Sequence, residues 1–440
     1  MNLHRELLEK LLEWKDKRNR KPLILHGARQ VGKTWILKEF GKTQFKDYAI
    51  FNFDEREELK EFFKSTKDVK RIIDNLSLVH GKAIIPNETL IIFDEIQESN
   101  NALNALKYFY ENAPEYYVAC AGSLLGVAMN RGASFPVGKV DFLNIYPMTF
   151  MEFLYSADIS LYNYLNGITK IEAIPEIFFN QLIDKFKMYY ISGGMPEAVE
   201  ELLETGDVAN VQNILRNILN SYALDFSKHA DNSDVIKIGY VWNSLPSQLS
   251  RENKKFLYKV IKEGARAREY ENSLEWLSNA GLIYKVNLCT KPSLPLSAYD
   301  DLSSFKIYSM DLGLLREQSK LSPSAIAEGN RLLTEFKGAL TENYILNTLI
   351  NLYDNNIKYW TSSSKAEVDF IVQRDNEIIP IEVKADENVT GKSLAFYRKT
   401  YNPELSIRYS LKNLKYDNGL LNIPLFMADM TEFLIALLPG

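Results

Sequence analysis

The chain has 440 residues, 46% of them hydrophobic and 25% charged, which is more than one typical domain and enough apolar material for several cores. A net charge of −5 excludes a protein that coats nucleic acid by charge alone, while leaving room for a local basic face. Two distant cysteines, Cys120 and Cys289, exclude a disulfide framework and point to a reducing, cytoplasmic setting.

Four histidines, His4, His26, His80 and His229, show no metal-ligand spacing and read as structural or exposed. No apolar run approaches the roughly 18 residues that cross a bilayer, so no membrane partner is expected. The opening Met1-Asn2-Leu3-His4-Arg5-Glu6 reads as a charged amphipathic helix rather than a secretory signal.

In chain order, the apolar run Leu23-Ile24-Leu25 leads into Gly27-Ala28-Arg29-Gln30-Val31-Gly32-Lys33-Thr34, and Trp35-Ile36-Leu37-Lys38 follows. Strand, glycine loop and helix is the context of a phosphate-binding loop. The glycines let the backbone curl so that successive N–H groups face phosphate oxygens at the positive end of the helix. Lys33 then supplies a point charge to the β- and γ-phosphates of ATP, and the Thr34 hydroxyl completes a Mg2+ shell.

A second apolar run is Tyr48–Phe53, and a third, Thr89–Asp94, ends on the pair Asp94-Glu95. Continuous apolar runs suit strands of a parallel sheet covered on both faces, and open sheets of this kind bind ligands at the carboxyl ends of their strands. Asp94 is expected to anchor the Mg2+ shell and Glu95 to orient the attacking water. After a helix near Asn101–Asn112, a fourth run, Tyr116–Gly122, delivers Ser123 to the same edge, as a γ-phosphate contact or as an ordinary Gly-Ser turn.

Together these residues resemble the AAA-type P-loop ATPases, within the bacterial and archaeal group known simply as AAA family ATPases. The resemblance implies an α/β fold with an AAA-type parallel-sheet core over 1–155, and places Ser123 at the sensor position. It continues through Ile145-Tyr146-Pro147-Met148-Thr149-Phe150-Met151-Glu152-Phe153, similar to the group's Pro-x-x-Phe-x-Glu-Phe signature. Just before it the group carries Gly-Arg, an arginine finger, where this chain has Gly138-Lys139. Lysine lacks the planar two-pronged contact of a guanidinium, so Lys139, or Arg131 eight positions earlier, is left as the candidate finger. Assembly as a homo-oligomer is implied by the family; a monomer fits the missing arginine.

Residues 156–325 read as a helical lid followed by a winged-helix-like region. Ile191-Ser192-Gly193-Gly194-Met195-Pro196-Glu197 is a helix-ending turn that also resembles the group's Gly-Gly-x-Pro-Glu signature, and Val208–Tyr222 is helical in pattern. Lys254–Ile261 places Phe256, Leu257, Val260 and Ile261 on one helical face, and Tyr270–Asn279 forms a second helix stopped at Gly281. Strands over 282–286 and 305–308, joined by a Pro- and Ser-rich loop, complete the order of a winged helix. Seven basic residues (Arg251, Lys254, Lys255, Lys259, Lys262, Arg266, Arg268) against three acidic ones between 251 and 270 suit either a DNA backbone or a solvated face.

In residues 326–440, Glu367–Val372 and Ile378–Lys384 form a hairpin about Arg374-Asp375-Asn376-Glu377. Normal pairing brings Asp369 near Glu382, with Lys384 on the same face as Glu382, and the helix around Gly338–Ile345 offers Glu342. Two carboxylates and a lysine suit a divalent metal that activates water. These four positions resemble the restriction-endonuclease-like motif, which implies an α/β nuclease-like domain; an exposed hairpin with a weak Glu382–Lys384 pair is the plain alternative.

The sequence thus leads to an ATP-hydrolysing AAA-type switch coupled to a nuclease-like domain, acting on or near DNA. The alternative is a nucleotide-regulated signalling or protein-interaction module whose last domain does not cleave.

Overall fold

Five short apolar runs separated by helices align as parallel strands. They are β1 (Leu23–His26), β2 (Asp47–Asn52), β3 (Thr89–Asp94), β4 (Tyr117–Gly122) and β5 (Asp141–Asn144), in the spatial order β2-β3-β4-β1-β5. The computed structural model describes residues 3–123, 135–230, 232–251, 254–324, 336–354, 356–362, 366–385 and 391–438. All six residues of β3 are buried, as a central strand covered on both faces demands, whereas β5 at the edge alternates between half-buried and exposed.

The helices Lys33–Gln44, Glu58–Ser65, Val69–His80 and Asn100–Asn112 connect these strands. Their starts are legible in side-chain terms: Asp68 accepts from the Lys70 amide and Ser99 from the Ala102 amide. On one side of the sheet, Phe93 meets Phe53, Phe63 and Phe109 edge-on, with centroids 5.7, 5.5 and 6.1 Å away. Register pairs His26 with Gly122 and Asn52 with Asp94, so the loop after β1, Glu95 and Ser123 all issue from one edge.

The chain divides into two compact units. The first comprises Arg5–Tyr146 with Asn279–Gly281, and the second comprises Met1–His4, Pro147–Ser278 and Leu282–Gly440.

In the second unit, the two signatures seen in the sequence meet. Thr149 and Glu152 form a reciprocal capping box that starts the helix Phe150–Ala157. The Met148 amide donates to the Gly194 carbonyl at 2.7 Å, and the Gly194 amide to Asp311 Oδ2 at 2.7 Å. A Cβ on Gly194 would stand 2.2 Å from the Met148 oxygen, so only glycine allows this approach. Asp311 also caps the helix Leu312–Gln318 by accepting from the Leu314 amide. Burial pushes its carboxyl up to about 6, against the hydrogen bonds of the surrounding amides.

The remaining strands of that unit are β6 (Ile283–Cys289), β7 (Asp300–Ser309), β8 (Ile357–Thr361), β9 (Glu367–Arg374), β10 (Glu377–Val383), β11 (Ser406–Ser410), β12 (Lys415–Asp417) and β13 (Leu420–Pro424). Among the described residues they form one mixed sheet, ordered β12-β13-β11-β10-β9-β8-β6-β7. The expected hairpin over 367–384 is present as β9 and β10.

Two expectations are corrected. The pair β6–β7, read as the wing of a winged helix, lies at the edge of this larger sheet, because β6 pairs in parallel with β8. The packing explains it: Cys289 and Leu296 share an apolar cluster with Trp360, Val368, Ile371 and Tyr397. The helix expected from Lys254 is reduced to Tyr258–Ile261. Residues 254–257 run extended because the Phe256 amide bonds the Phe305 carbonyl at 2.7 Å and Leu257 exchanges two hydrogen bonds with the Gln248 side chain. Among the described residues no helix is long and apolar enough to cross a membrane.

Candidate functional site

The loop after β1 is shaped by residues that tolerate its backbone. Gly32 has φ 93° and Gln30 φ 63°, both left-handed, and a Cβ on Gly27 would lie 2.2 Å from the Ile145 oxygen. The helix ladder then opens with the Ile36 amide bonded to the Gly32 carbonyl. Helix geometry leaves the amides just before it as N-terminal donors.

Lys33 is buried, and its Nζ donates to the carbonyls of Gly27 at 2.8 Å and Ala28 at 2.5 Å. Burial lowers its ammonium to about 8, while Glu95 and Asp94 pull the other way. A buried ammonium hydrogen-bonded to loop carbonyls, beside helix-opening amides, fits a polyphosphate that would bring negative charge directly against it.

Thr34 Oγ1 donates to both oxygens of Asp94, at 3.1 and 3.0 Å. Burial raises the Asp94 carboxyl, with the Thr34 hydroxyl acting against it. One hydroxyl and one carboxylate, both hard oxygen donors, fit a hydrated Mg2+ that takes its other ligands from phosphates and water. Glu95 leaves β3 with φ 47°, so its side chain turns away from the strand. The Ser123 hydroxyl donates to Glu95 Oε1 at 3.0 Å and Oε2 at 3.2 Å. The structure thus brings Lys33, Thr34, Asp94, Glu95 and Ser123 together. Lys139 stands against Glu111, 2.9 Å from its Oε1, and Arg131 lies outside the described residues.

Three contacts escaped sequence reasoning. Gln97 Nε2 donates to Glu95 Oε2 at 2.5 Å, while its own Oε1 is buried with no protein partner among the described residues. Arg5 Nη1 donates to the Val31 carbonyl at 3.0 Å and Nη2 to the Tyr146 carbonyl at 2.7 Å, so the segment just before the helix Leu7–Asp16 braces the loop. Gly281, expected only to stop a helix, places its Cα where an added Cβ would be 3.4 Å from the Ala28 amide nitrogen. The spacing Asp-Glu-x-Gln was a signal for the first; nothing local marked the other two.

The second constellation is built differently from its expectation. Register that pairs Ile381 with Phe370 carries Glu382 to the level of Asp369, yet each carboxylate has its own protein partner. Glu382 is buried and accepts from Arg408 Nε at 3.0 Å, with Lys384 Nζ 3.3 Å away. Asp369 Oδ2 accepts from the Val383 amide at 2.8 Å. Glu342 binds the Lys254 ammonium and the Tyr308 hydroxyl, with Lys306 Nζ at 3.4 Å. Burial works to raise the Glu342 carboxyl, but the two ammoniums carry it well below its ordinary range. Burial and the Glu342 charge push Asp369 up. Among the described residues no three His, Cys, Asp or Glu side chains are grouped to hold a metal. As arranged, these residues do not fit a divalent cation.

Three family models match parts of the chain. Residues 19–154 match the model of an AAA domain, residues 183–325 a domain of unknown function (DUF8612), and residues 337–426 another (DUF4143). No curated protein matches the chain. Similar solved structures include the Walker-type ATPase PABY2304 of Pyrococcus abyssi, at 16% identity and TM-score 0.45, covering 72% of this chain and 96% of that one. The Thermotoga maritima RuvB Holliday junction branch migration motor matches at 12% identity and TM-score 0.29, covering 67% and 91%. The Aeropyrum pernix ORC1 protein in complex with DNA matches at 12% and 0.28, covering 73% and 93%. At these scores the likenesses carry no functional argument. The phosphate loop on a five-stranded parallel sheet and the matched model agree: residues 19–154 form an AAA domain of P-loop ATPase type, and a matched domain of unknown function follows over 337–426.

Proposed function

We propose that the chain binds and hydrolyses ATP with Mg2+ and uses that cycle as a molecular switch. The observation that carries the reading is Lys33, Thr34, Asp94, Glu95 and Ser123 converging at one edge of the parallel sheet. In this reading the loop 27–34 holds the triphosphate, and Lys33 answers the β- and γ-phosphates. Thr34 and Asp94 hold the hydrated Mg2+, which would screen the phosphate charge. Glu95, once released by Ser123 and Gln97, takes the proton of the attacking water.

Hydrolysis rates of the wild type, Lys33→Ala and Glu95→Gln test this. Lys33→Ala should lose nucleotide binding, and Glu95→Gln should retain it while turning over about 10²–10⁴-fold more slowly. Unchanged hydrolysis in Lys33→Ala would remove the basis of the reading.

Action on or near DNA belongs to the same proposal. Its support is that Arg251, Lys259, Lys262, Arg266 and Arg268 are exposed in the second unit, whereas Lys254 and Lys255 turn inward to Glu342 and Ser304. Hydrolysis measured with and without duplex DNA tests it: stimulation that falls as salt rises supports a backbone contact, and no effect at low salt removes it. The reading as a module whose last domain does not cleave is favoured by the individually paired carboxylates of Glu342 and Glu382.

A further inference from the structure

The second unit contains a charged cluster that the ATP reading does not use. It holds four carboxylates, Glu342, Glu367, Asp369 and Glu382, and four cations, Lys254, Lys306, Lys384 and Arg408. Lys306 is fully buried on β7 and reaches Glu367 Oε1 at 2.6 Å as well as Glu342. Lys254 reaches the other oxygen of Glu342 from a segment held by the Phe256–Phe305 and Leu257–Gln248 hydrogen bonds. The tally of formal charges is four against four, and burial pushes Asp369 toward its neutral form, which leaves the cations in no deficit. A divalent cation entering this cluster would add two positive charges to a set already balanced, and would have to displace a buried ammonium.

We propose that Lys254 and Lys306 stand where a metal-dependent phosphodiesterase centre would hold its cation. Their two ammoniums make the cluster a closed electrostatic tie that fastens the 254–257 segment and β7 to the helix Phe336–Tyr353 and β9. The cluster takes no Mg2+ or Mn2+. The inference stands apart from nucleotide binding, which lies in the other unit.

The position of the lysines accounts for the geometry. Glu342 is the central carboxylate, flanked by Lys254 on one oxygen and by Lys306 and Tyr308 on the other. Both oxygens are therefore taken by donors of this chain. Glu382, which a nuclease-like centre would share with Asp369, is instead held by Arg408 of the neighbouring strand β11. A Cβ on Gly391 would fall 2.3 Å from Glu382 Oε2 and 2.6 Å from Arg408 Nη2, so the chain also closes over that pair.

The test uses the full chain, freed of nucleotide and treated with chelator. Mn2+ titration followed by electron paramagnetic resonance should show no difference between wild type and Asp369→Asn. The wild-type melting temperature should not move with millimolar Mn2+. Lys306→Met should lower it by about 5–10 °C, since removing one partner leaves a buried carboxylate uncompensated, and Mn2+ should restore most of that loss by taking the ammonium's place.

Lys254→Met, closer to the rim of the cluster, should behave likewise with a smaller fall, and serves if Lys306→Met does not accumulate. One Mn2+ per wild-type chain, lost in Asp369→Asn, would overturn the proposal. So would a fall in either lysine variant that Mn2+ does not relieve, or no fall in either.

Discussion

Binding of ATP should draw a proton onto the protein at alkaline pH, and Lys33 is the reason. Without nucleotide its ammonium lies near 8, lowered by burial from 10.5. Phosphate oxygens against Nζ would restore at least the ordinary value. The gap of 2.5 between the ordinary and the buried value corresponds to about 3.4 kcal/mol of differential binding between the charged and neutral forms.

At a pH of about 8.5, roughly a quarter of the unliganded molecules carry the charge and nearly all liganded ones do, so binding takes up about 0.75 proton. Affinity should fall about tenfold per pH unit above about 8 and level off only near 10.5. Calorimetric titration with a non-hydrolysable ATP analogue, in two buffers of different ionisation enthalpy, measures the uptake directly. At that pH the nucleotide's own phosphates are already deprotonated and contribute nothing. Zero uptake, or affinity flat from pH 8 to 10, would refute the argument that Lys33 is a buried cation awaiting an anion.

Other expectations follow from single contacts. Gly194→Ala should destabilise the second unit by about 1–3 kcal/mol, since its methyl would press on the Met148 carbonyl; thermal melting measures this, and an unchanged transition would contradict the close approach. Asp311→Asn should cost about 1–3 kcal/mol at neutral pH, because an NH2 would face either the Gly194 or the Leu314 amide.

The raised Asp311 carboxyl also has a signed pH effect. Its contribution to stability is full below about 4 and is lost as pH rises through about 6. Wild type should therefore gain stability relative to Asp311→Asn on going from pH 7 to 5, as paired melting curves would show. Gln97→Leu should keep nucleotide affinity while lowering kcat about tenfold or more, by loss of a charge-assisted hydrogen bond to Glu95; a change in KM alone would assign Gln97 to binding instead.

The proposed nucleotide site is legible because its chemistry demands particular residues in consecutive positions. A loop that must turn its amides inward needs Gly27 and Gly32 at fixed spacing, and the continuous apolar run of β3 places Asp94 and Glu95 at its carboxyl end. The brace from Arg5 could not be read, because it spans 26 residues to Val31 and 141 to Tyr146, and no local pattern encodes such a distance. The same limit explains the wing. β6 and β7 carry every local sign of an isolated hairpin, and what recruits β6 is an apolar face completed only by Trp360 and Val368, more than sixty residues on. With that strand order unread, Lys254 belongs only to the basic run of 251–270, and its meeting with Lys306 at Glu342 is hidden.

The edge placement of β6 and β7 bears on how the protein can be cut. A fragment starting at Phe336 would lose both strands, exposing the open backbone of β8 and the bare side of Trp360. It would also remove Lys254 and Lys306, the two lysines that bind Glu342. Such a piece should pair edge to edge and precipitate, whereas one beginning at Pro147 should stay dispersed, a contrast that light scattering would reveal. The last hundred residues are then not a portable cassette: their autonomy was surrendered to a hairpin that the linear order assigns to something else.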